Sequence, residues 1–137
     1  GTTPGTNKSN TGFVIMAQSA VVDIVGATAT TTVGTVPANS KITEVTLNVV
    51  EASDNSAAAT MSVGFSGALT ALMGATNVKA TGLTQSTGMA TASINIGATD
   101  RDIIATYSPG VTADGTSGIA DVTVKYLQNI NLDVTDS

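Results

Sequence analysis

The chain has 137 residues, which is enough for one buried core and too few for two ordinary ones. Its formal net charge is −5, only 11% of its residues are charged, and its Lys and Arg side chains are scattered singly, which argues against nucleic-acid binding. The sequence contains neither a run of about 20 apolar residues nor a basic amphipathic helix, so it predicts no membrane partner.

The start of the chain divides into a polar segment and two apolar runs. Residues 1–12 carry no aliphatic or aromatic side chain, and we expect them to form a flexible N-terminal arm because they cannot bury themselves. Residues 13–17 open the ordered part. Residues 20–25 and 28–33 are rich in β-branched side chains and predict two strands separated at Gly26.

The clearest strand signal follows a turn at residues 36–40. From residue 44 to residue 49, polar and apolar residues alternate with the period of a half-buried strand. Ile42 falls on the opposite phase. Either a β-bulge near Thr43 reconciles the two phases, or the strand enters the sheet only at Glu44.

A second alternating segment follows the turn at residues 52–56. We predict that residues 61–65 pair with the preceding strand as a hairpin with a long loop. Residues 69–73 are apolar, but five residues do not distinguish a helical turn from the end of a strand. Residues 76–88 are polar and rich in Gly, and predict either a long loop or a weak edge strand.

The last third of the chain predicts three more strands. Residues 89–96 and 102–107 lie on either side of a turn at residues 97–100. Pro-Gly and Asp-Gly dipeptides mark residues 108–116 as a loop. In the final strand, apolar side chains at even positions from 122 to 126 face one side.

Seven or eight short strands without a helical period predict an all-β domain over residues 13–137. The predicted architecture is an antiparallel β-sandwich or jelly roll preceded by the flexible arm. The residues that share the inward phase of their strands form the predicted core: Val45, Leu47, Val49, Met61, Val63, Phe65, Ile94, Ile96, Val122 and Val124.

The side chains used in most enzyme sites are scarce. The chain has no His and no Cys, which removes the usual general base near neutral pH, the thiol nucleophile and the common zinc ligands. Neither a serine-hydrolase pattern nor a phosphate-binding Gly pattern occurs. We therefore predict a protein that is not an enzyme and binds no cofactor.

Two pairs of carboxylates resemble glycosidase pairs in residue type alone. They are Asp100 with Asp102, and Glu44 with Glu51. A structural role is favoured for both pairs. Asp100 and Asp102 flank Arg101 in a sequence typical of a turn with local ion pairing, and Glu44 lies on the polar phase of its strand. The chain also has few aromatic rings on which a sugar could stack.

Two oxygen-rich loops are candidates for a structural cation. Residues 53–56 and residues 114–116 combine Asp, Asn, Ser and Thr, whose oxygens suit calcium. Neither loop has the acidic density of a calcium-binding loop, and turns stabilised by Asp and Asn side chains explain both. We therefore predict no metal site.

Residues 39–52, followed by residues 60–64, resemble a pattern met in small structural proteins of tailed bacteriophages. Residues 103–107, the Pro-Gly and Asp-Gly loop, and residues 118–126 resemble the closing strands of capsid decoration, or cement, proteins and of head-fibre bases. The likeness covers about residues 20–127.

The resemblance implies a jelly-roll or β-sandwich subunit, often trimeric, seated on the outside of the capsid where several major capsid subunits meet. The expected function is therefore a virion structural protein that clamps adjacent capsid subunits through β-augmentation and polar contacts. An N-terminal arm suits contact with a neighbour. The predicted partner-contact residues are Thr2, Thr3, Thr6, Lys8, Asn10 and Phe13.

Two other functions remain open at this point. A carbohydrate-binding or adhesin module would hold its ligand in the loops that follow Ala52 and Ser108. A tail or fibre subunit would differ from a decoration protein mainly in its position on the virus.

Overall fold

The computed structural model describes residues 13–86, 89 and 94–129, which form eight strands. Residues 13–17 and 20–25, expected as separate runs, contribute to one long first strand. The strands are β1 (Phe13–Asp23), β2 (Ala29–Val36), β3 (Lys41–Glu51), β4 (Ala59–Phe65), β5 (Ala68–Asn77), β6 (Gly82–Ser86), β7 (Arg101–Pro109) and β8 (Ile119–Asn129).

The strands pair antiparallel in two four-stranded sheets. Sheet A has the order β1-β8-β3-β6, and sheet B has the order β2-β7-β4-β5. Except for β4 and β5, successive strands lie in different sheets, and the inner faces of the two sheets enclose one core. This is a jelly roll, so the predicted fold class is confirmed.

The predicted hairpin between residues 44–49 and 61–65 is wrong. β3 pairs with β6 and β8 in sheet A, whereas β4 pairs with β5 and β7 in sheet B. Residues 52–58 therefore carry the chain from one sheet to the other. Alternation reveals which face of a strand is buried, but both sheets bury a face in the same core, so it does not reveal the neighbouring strand.

The core contains nine of the ten residues predicted for it, while Ile94 is only half-buried. The prediction omitted Tyr107, which is fully buried, with its phenol oxygen 3.4 Å from Ser53 Oγ. Its strand contains consecutive apolar residues at 103 and 104, and this obscures the phase of the alternation. The buried ring fills the core next to a polar loop.

Of the two alternatives at the start of this strand, the structure shows the bulge near Thr43 and not a strand that enters the sheet only at Glu44. The register of β3 against β8 shifts between Ile42 and Glu44. The shift allows Ile42 and Val45 to be buried on the same face, although they are three residues apart. Thr43 Oγ1 donates a hydrogen bond to the carbonyl oxygen of a β8 residue at 3.2 Å, which holds the bulge against its neighbour.

The segments that the sequence left ambiguous are now assigned. Residues 69–73 lie in β5, and residues 76–88 contain the short edge strand β6. Of the strand expected over residues 89–96, only residue 89 and residues 94–96 are described. Within them, Asn95 forms a single isolated bridge with β3, so this described part is not a regular strand.

The loops gather at the two ends of the sandwich. Residues 24–28, 52–58 and 110–118 form the upper rim, where backbone hydrogen bonds join them. The lower rim contains the turns at residues 37–40 and 66–67, and there β1 begins and β8 ends. The candidate surfaces described below lie along the sheet edges and on these rims.

The core assignment predicts unequal effects at two adjacent positions of β3. Leu47→Ala removes a fully buried side chain and should lower the free energy of unfolding by about 2 to 5 kcal/mol. Thr46→Ala, on the outer face, should have a much smaller effect. Urea denaturation measures both, and equal losses would show that the wrong face has been assigned to the core.

A second prediction concerns Gly64, opposite an irregular part of β5. A Cβ atom at this position would lie 2.1 Å from the carbonyl oxygen of Ala68, so Gly64→Ala should destabilise the fold by about 1 to 3 kcal/mol. Gly74→Ala is the matched control, because a Cβ there meets nothing within 4 Å. Thermal melts in which both variants match the parent protein would contradict the close approach.

Candidate interaction surface

The four strands at the edges of the sheets are almost uncharged. β1 and β6 border sheet A, and β2 and β5 border sheet B. Asp23 is the only charged residue in these four strands, and none of them contains Pro. Because charges and Pro commonly prevent an edge strand from pairing with another chain, these edges lack a usual chemical protection.

Three of the four edges have a structural protection instead. β2 is bulged between Thr32 and Gly34, and its Thr35 carbonyl oxygen accepts a hydrogen bond from Gln18 Nε2 at 2.7 Å. The pairing of β5 with β4 shifts register twice, and β6 is only five residues long. Bulges and short strands offer poor templates for an additional strand.

β1 has none of these protections. Its eleven residues pair with β8 in an unbroken register, and its first ten residues are uncharged. On its outer face, Ile15 is 72% exposed and Val21 is 67% exposed. β1 is therefore a long, regular and partly apolar edge, which is the kind of edge to which another polypeptide can add.

Gln18 holds the middle of β1 against the sandwich. Its Nε2 atom donates hydrogen bonds to the Thr35 carbonyl oxygen at 2.7 Å and to the Tyr126 hydroxyl at 2.8 Å. A Cβ atom on Gly34 would lie only 1.6 Å from Gln18 Oε1, so Gly is needed there to admit the amide. This side chain links the edge of sheet A to the edge of sheet B.

The outer face of sheet A has a polar centre. Glu44 pairs with Lys125 at 3.2 Å, and Gln85 Nε2 donates a hydrogen bond to the other carboxylate oxygen. Thr46 and Thr123 lie opposite each other in the next register position on this face. The Glu44–Lys125 pair neutralises two of the charges on this face, so a partner could cover its centre without leaving either of them unpaired.

Two loops of the upper rim, residues 53–56 and residues 114–117, are joined by reciprocal hydrogen bonds. We call these two joined loops the loop clasp. The Asp54 carboxylate accepts hydrogen bonds from Thr116 N at 2.7 Å, Thr116 Oγ1 at 2.9 Å and Ser117 N at 3.1 Å. In return, the Asp114 carboxylate accepts hydrogen bonds from Ser56 N at 2.8 Å and Ser56 Oγ at 2.5 Å. Residues about sixty positions apart thus form one unit.

Asn55 lies at the centre of the loop clasp and is buried. Its Oδ1 atom accepts hydrogen bonds from the backbone N–H groups of Asp114 and Gly115, both at 3.0 Å. Its Nδ2 atom donates to the carbonyl oxygens of Ala57 and Ala58, both at 3.2 Å. The amide therefore uses both its donors and its acceptor within the protein.

These hydrogen bonds favour the ionised carboxylates. Donation from Ser117 and Thr116 lowers the pKa of Asp54 to about 2, and donation from Ser56 lowers the pKa of Asp114. The loops considered for calcium thus use their oxygens to accept protein hydrogen bonds. Among the described residues, no group of three or more His, Cys, Asp or Glu side chains could hold a metal ion.

The first carboxylate pair considered for catalysis supports the lower rim. Asp100 accepts a hydrogen bond from the backbone N–H of Ala38 at 2.8 Å, and Asp102 accepts one from Thr35 Oγ1 at 2.6 Å. Arg101 lies between them with its guanidinium 3.6 Å from the centroid of an aromatic ring in β4. The contacts of this turn are structural, and Arg101 forms a cation–π contact.

The second pair is separated along one strand. Glu44 lies in the first half of β3 in its ion pair with Lys125, whereas Glu51 ends the strand and pairs in register with Ile119. Neither the ion pair nor this register brings the two carboxyl groups together.

In the part of the chain that is described, no helix has the length and apolar character needed to cross a bilayer.

Most of the predicted partner-contact residues cannot be placed against this surface. Thr2, Thr3, Thr6, Lys8 and Asn10, with the arm expected over residues 1–12, lie outside the described residues. Phe13 begins β1 at the lower rim, where its backbone pairs with Asn129. The β1 edge was not predicted from the sequence, although its ten successive uncharged residues were a visible signal.

Comparison with known proteins yields similar structures only. No protein-family model and no curated protein sequence matches the chain. A chain in the acidic stable capsid structure of Helicobacter pylori bacteriophage KHP30 superposes with a TM-score of 0.66 at 15% identity, over 86% of this chain and 90% of that one. A chain in the cyanophage Pam1 capsid asymmetric unit superposes with a TM-score of 0.63 at 22% identity, over 85% of this chain and 86% of that one.

A third similar chain comes from the capsid of Ralstonia phage GP4. It superposes with a TM-score of 0.60 at 19% identity, over 85% of this chain and 84% of that one. At such identities the likeness establishes a shared fold. Because most of both chains is matched in all three cases, these neighbours are jelly rolls of similar size.

The loop clasp predicts an acid-sensitive contribution to stability. Because the folded-state pKa of Asp54 lies below its ordinary value of 3.8, its contribution is present above pH 3.8 and is lost as the pH falls towards 2. Asp54→Asn should therefore be less stable than the parent protein at pH 7, and the difference should shrink by pH 2.

Urea midpoints measured at both pH values test this expectation. Asp23→Asn is the control, because that carboxylate takes no part in the loop clasp. A difference between Asp54→Asn and the parent protein that stays constant from pH 7 to pH 2 would contradict the proposed linkage.

Proposed function

We propose that this chain is a virion structural protein: a capsid decoration, or cement, subunit that binds the outside of a phage head and stabilises adjacent major capsid subunits. The observation that carries the proposal is the fold shared with chains from three phage capsids, in matches that span most of both partners.

The surface of the protein supports a role in assembly. Its edge strands contain one charged residue, and the Glu44–Lys125 pair neutralises two charges at the centre of the outer face of sheet A. Such a surface can be covered by another protein at a low desolvation cost. The polar side chains of the loop clasp are already engaged with each other, and this favours a structural role over ligand capture.

The lower rim is the end that we propose faces the capsid. β1 begins there, so the polar segment that precedes Phe13 in the sequence is connected to the described structure at this rim. Within that segment, Thr2, Thr3, Thr6, Lys8 and Asn10 would make the partner contacts, as an arm that becomes ordered on a neighbouring subunit.

A homotrimer is the proposed assembly on the capsid exterior. A closed ring of identical subunits would present several copies of the lower rim to the symmetric shell at once. Each contact can then be weak, because simultaneous engagement raises the overall affinity by roughly 10² to 10⁴ over a single site. The subunit would thereby resist the separation of capsid subunits without any chemical step.

The carbohydrate-binding alternative relied on the loops that follow Ala52 and Ser108. These are the loops that form the loop clasp, and their carboxylate and amide groups already accept protein hydrogen bonds. A sugar would have to displace those bonds or use the few acceptor positions that they leave open. A tail or fibre subunit remains an alternative location for the same fold, and fractionation of intact virus into heads and tails would distinguish the two.

The proposal predicts that phage heads carrying the protein withstand heat better than heads prepared without it. Adding the purified protein back should restore the higher melting temperature, because the subunit bridges neighbouring capsid subunits. Differential scanning fluorimetry of the particles measures this. Equal melting temperatures with and without bound protein, or failure of the protein to bind heads, would refute the cement role.

A matched pair of full-length variants tests the binding face. The triple substitution Thr6→Ala, Lys8→Ala and Asn10→Ala should lower occupancy on heads, whereas Val111→Ser on the upper rim should not. Val111 is 97% exposed, so its replacement should leave the fold intact. Loss of binding by the Val111 variant alone would assign the contact to the opposite rim.

A further inference from the structure

The exposed side chains of β1 are arranged symmetrically about Gln18. Ile15 lies three residues before it and Val21 three residues after it, and both occupy the outer face. Ala17 and Ser19, one residue away on each side, are small and exposed. Such a strand is self-complementary when a second copy runs antiparallel to it.

In an antiparallel pair of β1 strands centred on Gln18, Ile15 of one copy lies opposite Val21 of the other. This creates two equivalent apolar cross-strand pairs on one face of the joined sheet, and such pairs stabilise antiparallel strands. Ala17 of one copy lies opposite Ser19 of the other, so no large side chains collide. The apolar surface exposed by the free subunit is thereby covered.

The charges are also compatible with this register. Asp23 is the only charged residue of β1, and the pairing places it opposite Phe13 at the end of the other strand. The two Asp23 carboxylates therefore lie at opposite ends of the contact and do not repel each other. The unbroken register of β1 on β8 means that its free edge presents a regular series of backbone groups.

We propose that two copies of this chain associate by antiparallel pairing of their β1 strands about a two-fold axis at Gln18, which joins the two copies of sheet A into one eight-stranded sheet. Gln18 keeps its hydrogen bonds to Thr35 and Tyr126, because the new contact uses the backbone edge. The occupant of the β1 edge is thus the same strand of a second copy.

This contact is independent of the proposed capsid role. A symmetric β1 pair closes at two copies, so it is a different interface from the one that closes a trimer. If both interfaces form, the β1 pair would link two trimers. Self-association through β1 can be measured with the isolated protein. Its loss would leave the proposed contact between the lower rim and the capsid intact.

A charge-reversal pair of full-chain variants tests the register. Ile15→Lys with Val21→Lys places Lys opposite Lys at both cross-strand positions and should weaken self-association about tenfold or more. Ile15→Glu with Val21→Lys carries two charges at the same positions and keeps the same Lys beside Asp121 of β8, but it places Glu opposite Lys and should retain self-association within about threefold. Analytical ultracentrifugation over a concentration series measures each dissociation constant.

Both variants change exposed residues, so circular dichroism and urea melts should show a folded protein in each case. If self-association is unchanged in the Lys/Lys variant, or is lost equally in both variants, the proposed register is overturned. A parent protein that remains monomeric at all concentrations overturns the proposal as well. Neither result bears on whether the subunit stabilises phage heads.

Disulfide trapping gives a second measurement that introduces no charge. The chain has no Cys, so single substitutions are unambiguous. Opposed residues of an antiparallel pair have Cα atoms about 4.5 to 5.5 Å apart, which a disulfide can span. A mixture of Ala17→Cys and Ser19→Cys proteins should form the mixed dimer on mild oxidation.

The control mixture combines Ala17→Cys with Val111→Cys, whose side chain is highly exposed but lies on the upper rim. Mass spectrometry identifies which two chains are joined. Mixed dimers of the Ala17→Cys and Ser19→Cys proteins at several times the control yield would support the pairing. A yield equal to that of the control would overturn it.

Discussion

Hydrogen bonding at the strand edges is the constraint on which this structure depends most. Two packed sheets bury their inner faces but leave four outer strands with backbone groups facing away from the sheet. In this chain, bulges or register shifts interrupt β2 and β5, and β6 is only five residues long. In addition, the Gln18 amide donates a hydrogen bond to a backbone carbonyl oxygen of β2. β1 alone remains long and regular, so it is the edge best suited to pair with another polypeptide.

At the upper rim the constraint is that loops must cross between the two sheets, because most successive strands lie in different sheets. Residues 52–58 must cross the sandwich, and the loop clasp fixes them to residues 110–118. The buried Asn55 amide and the Asp54 and Asp114 carboxylates replace the water that these backbone groups would otherwise bind. The result is an end of the molecule whose polarity is satisfied internally, in contrast with the open edge of β1.

The sequence predicted what depends on local alternation. The buried face of β3 followed from the positions of its apolar residues, because a period of two is visible within ten residues. The interruption of that period at Ile42 was visible too, but it left a bulge at Thr43 and a later start of the strand as two alternatives. Strand neighbours were not predictable in the same way, since the inward faces of both sheets look alike. The pairing of β3 with β8 rather than β4 is a long-range choice.

The candidate site was predictable only in part, for the same reason. The loops at residues 53–56 and 114–116 were recognised as oxygen-rich turns, but their reciprocal hydrogen bonds join residues about sixty positions apart. The low charge of β1 is visible in the sequence, whereas its position at a sheet edge is a property of the strand order. Burial of Tyr107 likewise depends on the sheet that faces it.

The pairing of Phe13 with Asn129 places the start of β1 next to the end of β8, so the order of the strands along the chain could be changed without changing the fold. The first and last described strands are neighbours, so a short linker could join them at the lower rim while the chain is opened at the exposed Val111. Such a circular permutant would preserve every strand pair and the loop clasp, although β8 would then precede β1 along the polypeptide. The connectivity of this jelly roll is therefore separable from its architecture, and either rim could carry the ends of the chain.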